Sequence, residues 1–180
     1  MVFDYKRIAK PNSFKQDYIR SFDTVKGVVI HYTDNRGDTA RNNADYFATG
    51  NMRAAGANVF IDREGKSALS VPLKYVAWSV GDHSNGEGKL YYILNNYNTI
   101  SIELCDIIDR GMSEKQFKKL KKVVKYIAKK CPNIEYVCRH YDITTKVCPA
   151  YYVTHNREWL TLQRQLLEVV NKVHKEGKNG

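Results

Sequence analysis

Val25-Lys26-Gly27-Val28-Val29-Ile30-His31-Tyr32 is the stretch from which the rest of the chain is read. Its β-branched residues lose side-chain freedom in a helix but pack well on a pleated surface. The run therefore reads as a buried strand that ends near Thr33-Asp34. Alternation places Val28, Ile30 and Tyr32 on one face and Gly27, Val29 and His31 on the other. A second run, Thr99–Cys105, divides in the same way. Ile100, Ile102 and Leu104 form its apolar face, with Ser101, Glu103 and Cys105 opposite. A carboxylate in such a strand must face water, take a partner or serve a site, because unpaired burial of a charge is costly.

Working outward, Ala57–Asp62 and Ser67–Val71 read as a hairpin closed by Arg63-Glu64-Gly65-Lys66, where Gly65 is available for positive φ. Thr39–Thr49 has helical spacing through Ala40, Ala44 and Phe47. Ser113 and Gln116 form a capping-box signature ahead of Phe117, Leu120, Val124, Ile127 and Cys131, and Pro132 stops that helix. Residues 113–130 carry eight lysines against the single Glu114, a local charge of +7 out of the chain's +10. A strand follows at Glu135–His140, then irregular residues, then a helix from about Asn156 with Trp159, Leu162, Leu166, Val169 and Val173 along one stripe. Residues 81–98 read as loop. Strands interspersed with helices predict an α/β domain: a single mixed central β-sheet flanked by helices. Residues 1–175 are expected to form that domain, and 176–180 a frayed tail or the start of a linker.

At 180 residues, 43% apolar and 12% aromatic, the chain has enough material for one core, which excludes disorder. No apolar run approaches the roughly 18 residues of a membrane span. The first residues lack the pattern of a secretory signal, so synthesis in the cytoplasm is expected. Without export, the four cysteines at 105, 131, 138 and 148 favour burial or metal binding over a disulfide framework. The lysines concentrate on one helix without interleaved aromatic residues. That reads as a solvated face with attraction to anionic polymers, and no nucleic-acid partner is expected.

Cys138-Arg139-His140-Tyr141-Asp142-Ile143-Thr144-Thr145-Lys146-Val147-Cys148-Pro149 holds the clearest chemical signal. His140 and Cys148 are donor types that zinc takes, and His31, also at a strand end, can supply a third. Taken alone, the same spacing also suits a satisfied core histidine and a buried thiol. His83, His155 and His174 fall in loops or near helix ends and read as surface residues.

Five blocks extend the reading: V-V-I-H-Y-T (28–33), A-N-V-F-I-D-R-E-G-K (57–66), A-W-S-V-G-D (77–82), N-T-I-S-I-E-L-C (98–105) and R-H-Y-D-I-T-T-K-V-C-P (139–149). In this order they resemble the motif series of the type-2 N-acetylmuramoyl-L-alanine amidases, which share a fold with peptidoglycan recognition proteins. The amidase domains of endolysins from phages of Gram-positive bacteria are the nearer likeness. The resemblance implies a Zn2+ site at His31, His140 and Cys148, a catalytic acid–base at Glu103 and oxyanion stabilisation by Lys146. It implies peptidoglycan as substrate, with the cut between N-acetylmuramic acid and L-alanine. A non-catalytic peptidoglycan-binding module is the alternative on the same fold. Action on the wall would follow release by a holin or lysis, and a monomeric catalytic domain is expected. Asn58 and Ser79 stand where many relatives carry histidine. Trp78, Asn58 and Asn98 are expected to contact substrate.

Overall fold

The computed structural model describes residues 1–81 and 85–178. Its strands are β1 (Tyr5–Lys6), β2 (Phe14–Ile19), β3 (Gly27–Tyr32), β4 (Val59–Ile61), β5 (Ser67–Leu69), β6 (Tyr75–Ala77), β7 (Thr99–Leu104) and β8 (Tyr136–Arg139). The helices are α1 (Ala40–Thr49), α2 (Glu114–Lys130), α3 (Tyr141–Thr144), α4 (Ala150–Thr154) and α5 (Asn156–Lys178). Six strands form one sheet in the order β1-β5-β4-β7-β3-β8, and β2 and β6 form a small separate ribbon. Only the β4–β5 hairpin is antiparallel in the large sheet; its other pairs are parallel, so the expected mixed sheet flanked by helices is what the chain builds.

The two sheet faces have different tasks. Val28, Ile30, Ile100, Ile102 and Leu104 bury themselves against α2 and α5, whose stripes supply Leu120, Val124, Ile127, Trp159, Leu162 and Leu166. Each fully buried residue of this kind contributes about 1.5–3 kcal/mol of transfer free energy, and this layer is the main core. Beside Trp159 and Leu166, the fully buried valine of the α5 stripe is Val170, while the expected Val169 is only partly buried. On the opposite face, Ala40 and Ala44 of α1 pack on Phe60, Ala68 and Cys105, while Val80, Leu94 and Ile143 cover Val29 and Cys138. These two patches are separate, and His31 and Glu103 belong to neither.

Several local expectations are met in altered form. Gly65 closes the β4–β5 turn at φ +72°, and a Cβ there would sit 2.8 Å from the Lys115 carbonyl oxygen. Ser113 caps α2 by accepting from the Gln116 amide, but the Gln116 side chain does not return the bond. Its amide instead donates to the Ile61 and Cys105 carbonyls at 2.9 and 3.0 Å, pinning α2 to the ends of β4 and β7. The residues read as irregular after β8 contain α3 and α4, and α5 continues to Lys178 through part of the expected tail. Residues 179–180 of that tail, Asp82 and His83 lie outside the described residues. All four cysteines are buried free thiols. No helix among the described residues is long and apolar enough to cross a membrane.

Candidate active site

Parallel pairing puts His31 of β3 directly beside Glu103 of β7, and Glu103 beside Phe60 of β4. Because paired residues point to the same side of a sheet, the imidazole and the carboxylate share the face left open between the two packed patches. The third element arrives by a different route. His140 directly follows β8, and its amide still donates to the Ile30 carbonyl, which fixes it one strand over from His31. The chain then turns through α3 and returns, with the Tyr141 amide donating to the Cys148 carbonyl at 3.0 Å.

The ligating atoms of His31, His140 and Cys148 thereby lie within 4.8 Å of one another, all three residues buried. His31 Nδ1 is 3.8 Å from Cys148 Sγ, and the two imidazole rings meet edge to face at 4.8 Å. His140 Nε2 donates to the Val80 carbonyl at 3.0 Å, which leaves its buried Nδ1 without a partner. A backbone acceptor on one ring nitrogen selects the tautomer whose other nitrogen offers a lone pair, a common arrangement around metal ions. Burial and the nearby Lys146 push His140 down to about 4, and burial with His140 and Lys146 as neighbours holds His31 well below its ordinary value. Both imidazoles are therefore neutral at pH 7, the form that binds metal. Burial pushes the Cys148 thiol up, and a bound cation would reverse that.

Glu103 is half-buried, and its Oε2 is buried without a hydrogen-bond partner. Burial pushes its carboxyl up to about 8, against the opposing pull of Lys146, and Asp38 adds to the rise. Lys146 is exposed on the rim. All of these except His140 line one cleft of about 770 Å³, together with Trp78. Its other wall comes from α1 and the loops beside it, through Asp38, Asn42, Asn43 and Tyr46, with Arg53 above them. Sequence reading missed these. The only signal was the polar face of α1, which looks like any solvated helix surface until the fold turns it inward.

Two of the residues expected to contact substrate have partners within the fold instead of lining the cleft. Asn58 is 1% exposed and does not line the cleft. Its Oδ1 accepts from the Ser101 amide at 3.1 Å, its own amide donates to Ser101 Oγ at 3.1 Å, and its Nδ2 donates to the Val71 carbonyl. The side chain thus extends the β4–β7 pairing one residue ahead of the start of β4. Asn98 also stays outside the cleft. It closes a 3-10 turn at Asn96–Asn98, accepting from the Asn95 amide and donating to the Ile93 carbonyl. Ser79 lines the cleft, its amide donating to Asn96 Oδ1 at 3.0 Å. Of the remaining histidines, His155 is exposed against Tyr151, and His174 reaches the Cys131 carbonyl.

A family model described as N-acetylmuramoyl-L-alanine amidase matches residues 21–151. The N-acetylmuramoyl-L-alanine amidase CwlL of Bacillus licheniformis is 28% identical over 175 residues, covering 92% of this chain and 47% of that protein. The amidase BlyA of Bacillus subtilis (strain 168) is 28% identical over 152 residues, covering 79% and 41%. The chain spans about half the length of these curated relatives. Among solved structures, PlyL superposes with a TM-score of 0.70 at 24% identity, over 90% of this chain and 95% of that one. The PlyG catalytic domain gives 0.67 at 21%, over 92% and 94%. At such identities these two likenesses speak for the fold.

Proposed function

The chain belongs to the N-acetylmuramoyl-L-alanine amidase family, and from that premise we propose that it hydrolyses the amide between N-acetylmuramic acid and L-alanine in peptidoglycan, with Zn2+ held by His31, His140 and Cys148. The observation that carries this reading is the convergence of two neutral imidazoles and a thiol, with His31 and Cys148 lining the same cleft as Glu103, whose Oε2 has no partner. The donor set suits zinc. At usual Zn–S and Zn–N lengths and a tetrahedral angle, sulfur and nitrogen ligands stand about 3.6 Å apart, close to the 3.8 Å between Cys148 Sγ and His31 Nδ1. Three protein donors leave a coordination position for substrate, as catalytic sites require.

Zinc at such a site supplies Lewis acidity toward a carbonyl and toward water. Brought back down from about 8 by a bound cation, the Glu103 carboxyl takes the proton of the attacking water on its free oxygen and hands it to the departing nitrogen, which would otherwise leave as a poor anion. The Lys146 ammonium stands over the rim, where negative charge gathers on the carbonyl oxygen as it becomes tetrahedral. Lys146→Ala is accordingly expected to lower kcat by about 10²–10³ with zinc still bound. A loss below tenfold would return Lys146 to the solvated surface. The protein would reach its wall substrate after release from the cytoplasm.

Digestion of Gram-positive sacculi tests the reading. A chelator-sensitive, zinc-restored fall in turbidity with new amino termini at L-alanine supports it. Wall binding without new amino termini would make the protein a recognition module instead. Metal removal is also expected to lower Tm, because an ion that binds only the folded state adds about 2.7 kcal/mol at a hundredfold excess over Kd. For a domain of this size that amounts to about 5–10 °C. An unchanged Tm on addition of zinc to chelated protein would contradict a zinc site.

A further inference from the structure

The cleft continues into a row of aromatic rings that the amide chemistry does not use. Trp78 lines the cleft and meets Tyr97 edge to face at 6.4 Å. Tyr97 in turn meets Tyr18 of β2 edge to face at 5.7 Å. Tyr97 is 44% exposed and Tyr18 37%, so the row lies open to solvent from the cleft outward. Contiguous exposed rings are uncommon on a surface without a ligand, whereas singly scattered ones are ordinary.

The row is also held in register with the metal-binding group. The Asn95–Asn98 capping box holds the turn that presents Tyr97. Within that turn, Asn96 Oδ1 accepts from the amides of Ser79 and Val80 at 3.0 and 2.9 Å, which locks the Trp78 loop to it. The Val80 carbonyl then accepts from His140 Nε2. Two hydrogen-bonded steps therefore connect Asn96, the chain neighbour of Tyr97, to His140. Such a rigid platform of tyrosine and tryptophan offers contact area at little entropic cost.

Resting on the amidase reading, we propose that Trp78, Tyr97 and Tyr18 form an extended subsite for the glycan strand, binding sugars beyond the muramic acid whose amide is cut. The apolar faces of pyranose rings stack on aromatic rings, and each ring-to-ring step is on the order of one sugar unit. Charge favours the glycan over the stem peptide as occupant. The formal charges of β2 beside this row are Lys15 and Asp17, paired with each other at 3.0 Å, so the surface suits a neutral, hydroxyl-rich polymer. The outward position of the row matches a strand that runs on past the reacting unit.

The test compares two substrates that both carry the stem peptide: glycan strands of several disaccharides and a single-disaccharide muropeptide. In the Tyr18→Ala/Tyr97→Ala double variant, the ratio of kcat/KM on strands to that on the muropeptide should fall about tenfold. The Tyr18→Phe/Tyr97→Phe variant, which keeps the rings, should retain the wild-type ratio. A ratio unchanged by the alanine variant, with its Tm near wild type, overturns the subsite. A binding arm needs no catalysis: an N-acetylglucosamine oligomer should quench the emission of wild-type Trp78, since Trp159 is sealed in the core. Loss of that quenching in the alanine variant supports the subsite, and absence of quenching in wild type counts against it. If wild-type protein cleaves neither substrate, the amidase reading has failed and the titration alone decides the row.

Discussion

Glu103→Gln is expected to lower kcat on peptidoglycan by about 10²–10⁴ while leaving bound zinc in place. The substitution keeps the shape of the side chain and removes only its ability to take a proton. Glu103 is not among the three converging metal donors, and its Oε2 has no hydrogen-bond partner, so neither the metal group nor the sheet depends on its charge. Stability should move in the opposite direction. In the metal-free protein burial raises the carboxyl from 4.5 to about 8. The folded state thus holds a proton that the unfolded chain releases, and stability falls as pH rises through that window. Glutamine removes the fall, so metal-free Glu103→Gln should be more heat-stable than wild type at pH 8 and similar to it near pH 4. Elemental analysis beside steady-state rates on sacculi decides the catalytic half. A zinc-loaded variant with most of its activity would remove Glu103 from the mechanism.

Asp142→Ala is expected to destabilise the fold by about 3–5 kcal/mol. Arg139 and Asp142 flank His140 and form a buried pair. Arg139 Nη2 lies 2.8 Å from Asp142 Oδ1, and Nε and the Arg139 amide both donate to Oδ2. Nη1 donates to the Tyr152 carbonyl and to Asn156 Oδ1, and the guanidinium lies 5.1 Å from the Trp159 ring. Burial alone would raise the Asp142 carboxyl, but the bonds from Arg139 outweigh it and hold it below its ordinary value. Removing the carboxylate strands a guanidinium in the interior and frees the turn that carries His140. Urea unfolding should show the midpoint shift, and zinc affinity should weaken with it. A loss under 1 kcal/mol would mean that water or Lys89, 3.5 Å from Asp142 Oδ1, already compensates the charge.

The long amphipathic elements were legible in the residues. α2 and α5 announce themselves by apolar steps of three and four, and β3 and β7 by alternation that also assigned His31 and Glu103 to their faces. β1, β2 and β6 were not legible. A two-residue strand such as β1 has no period of its own and exists only because Ser67–Leu69 offers it an edge. α3 and α4 are one turn each, too short to hold without the contacts around them. Gln116 shows the same limit within one side chain: its spacing from Ser113 matched a capping box, but two buried carbonyls in need of donors claimed it.

Periodicity and donor chemistry, both local properties, determined by themselves the α/β class, the strand faces and which residue types are able to bind a metal. Distance between residues far apart in the chain is not local, and only the tertiary structure decided it. His31 and Cys148 are separated by 117 positions, and parallel pairing with the return of the chain through α3 brings them within 3.8 Å. The same folding turned the polar face of α1 into a cleft wall and buried Asn58 in the sheet. It also set Tyr97 beside Trp78, where no spacing in the sequence would have placed it.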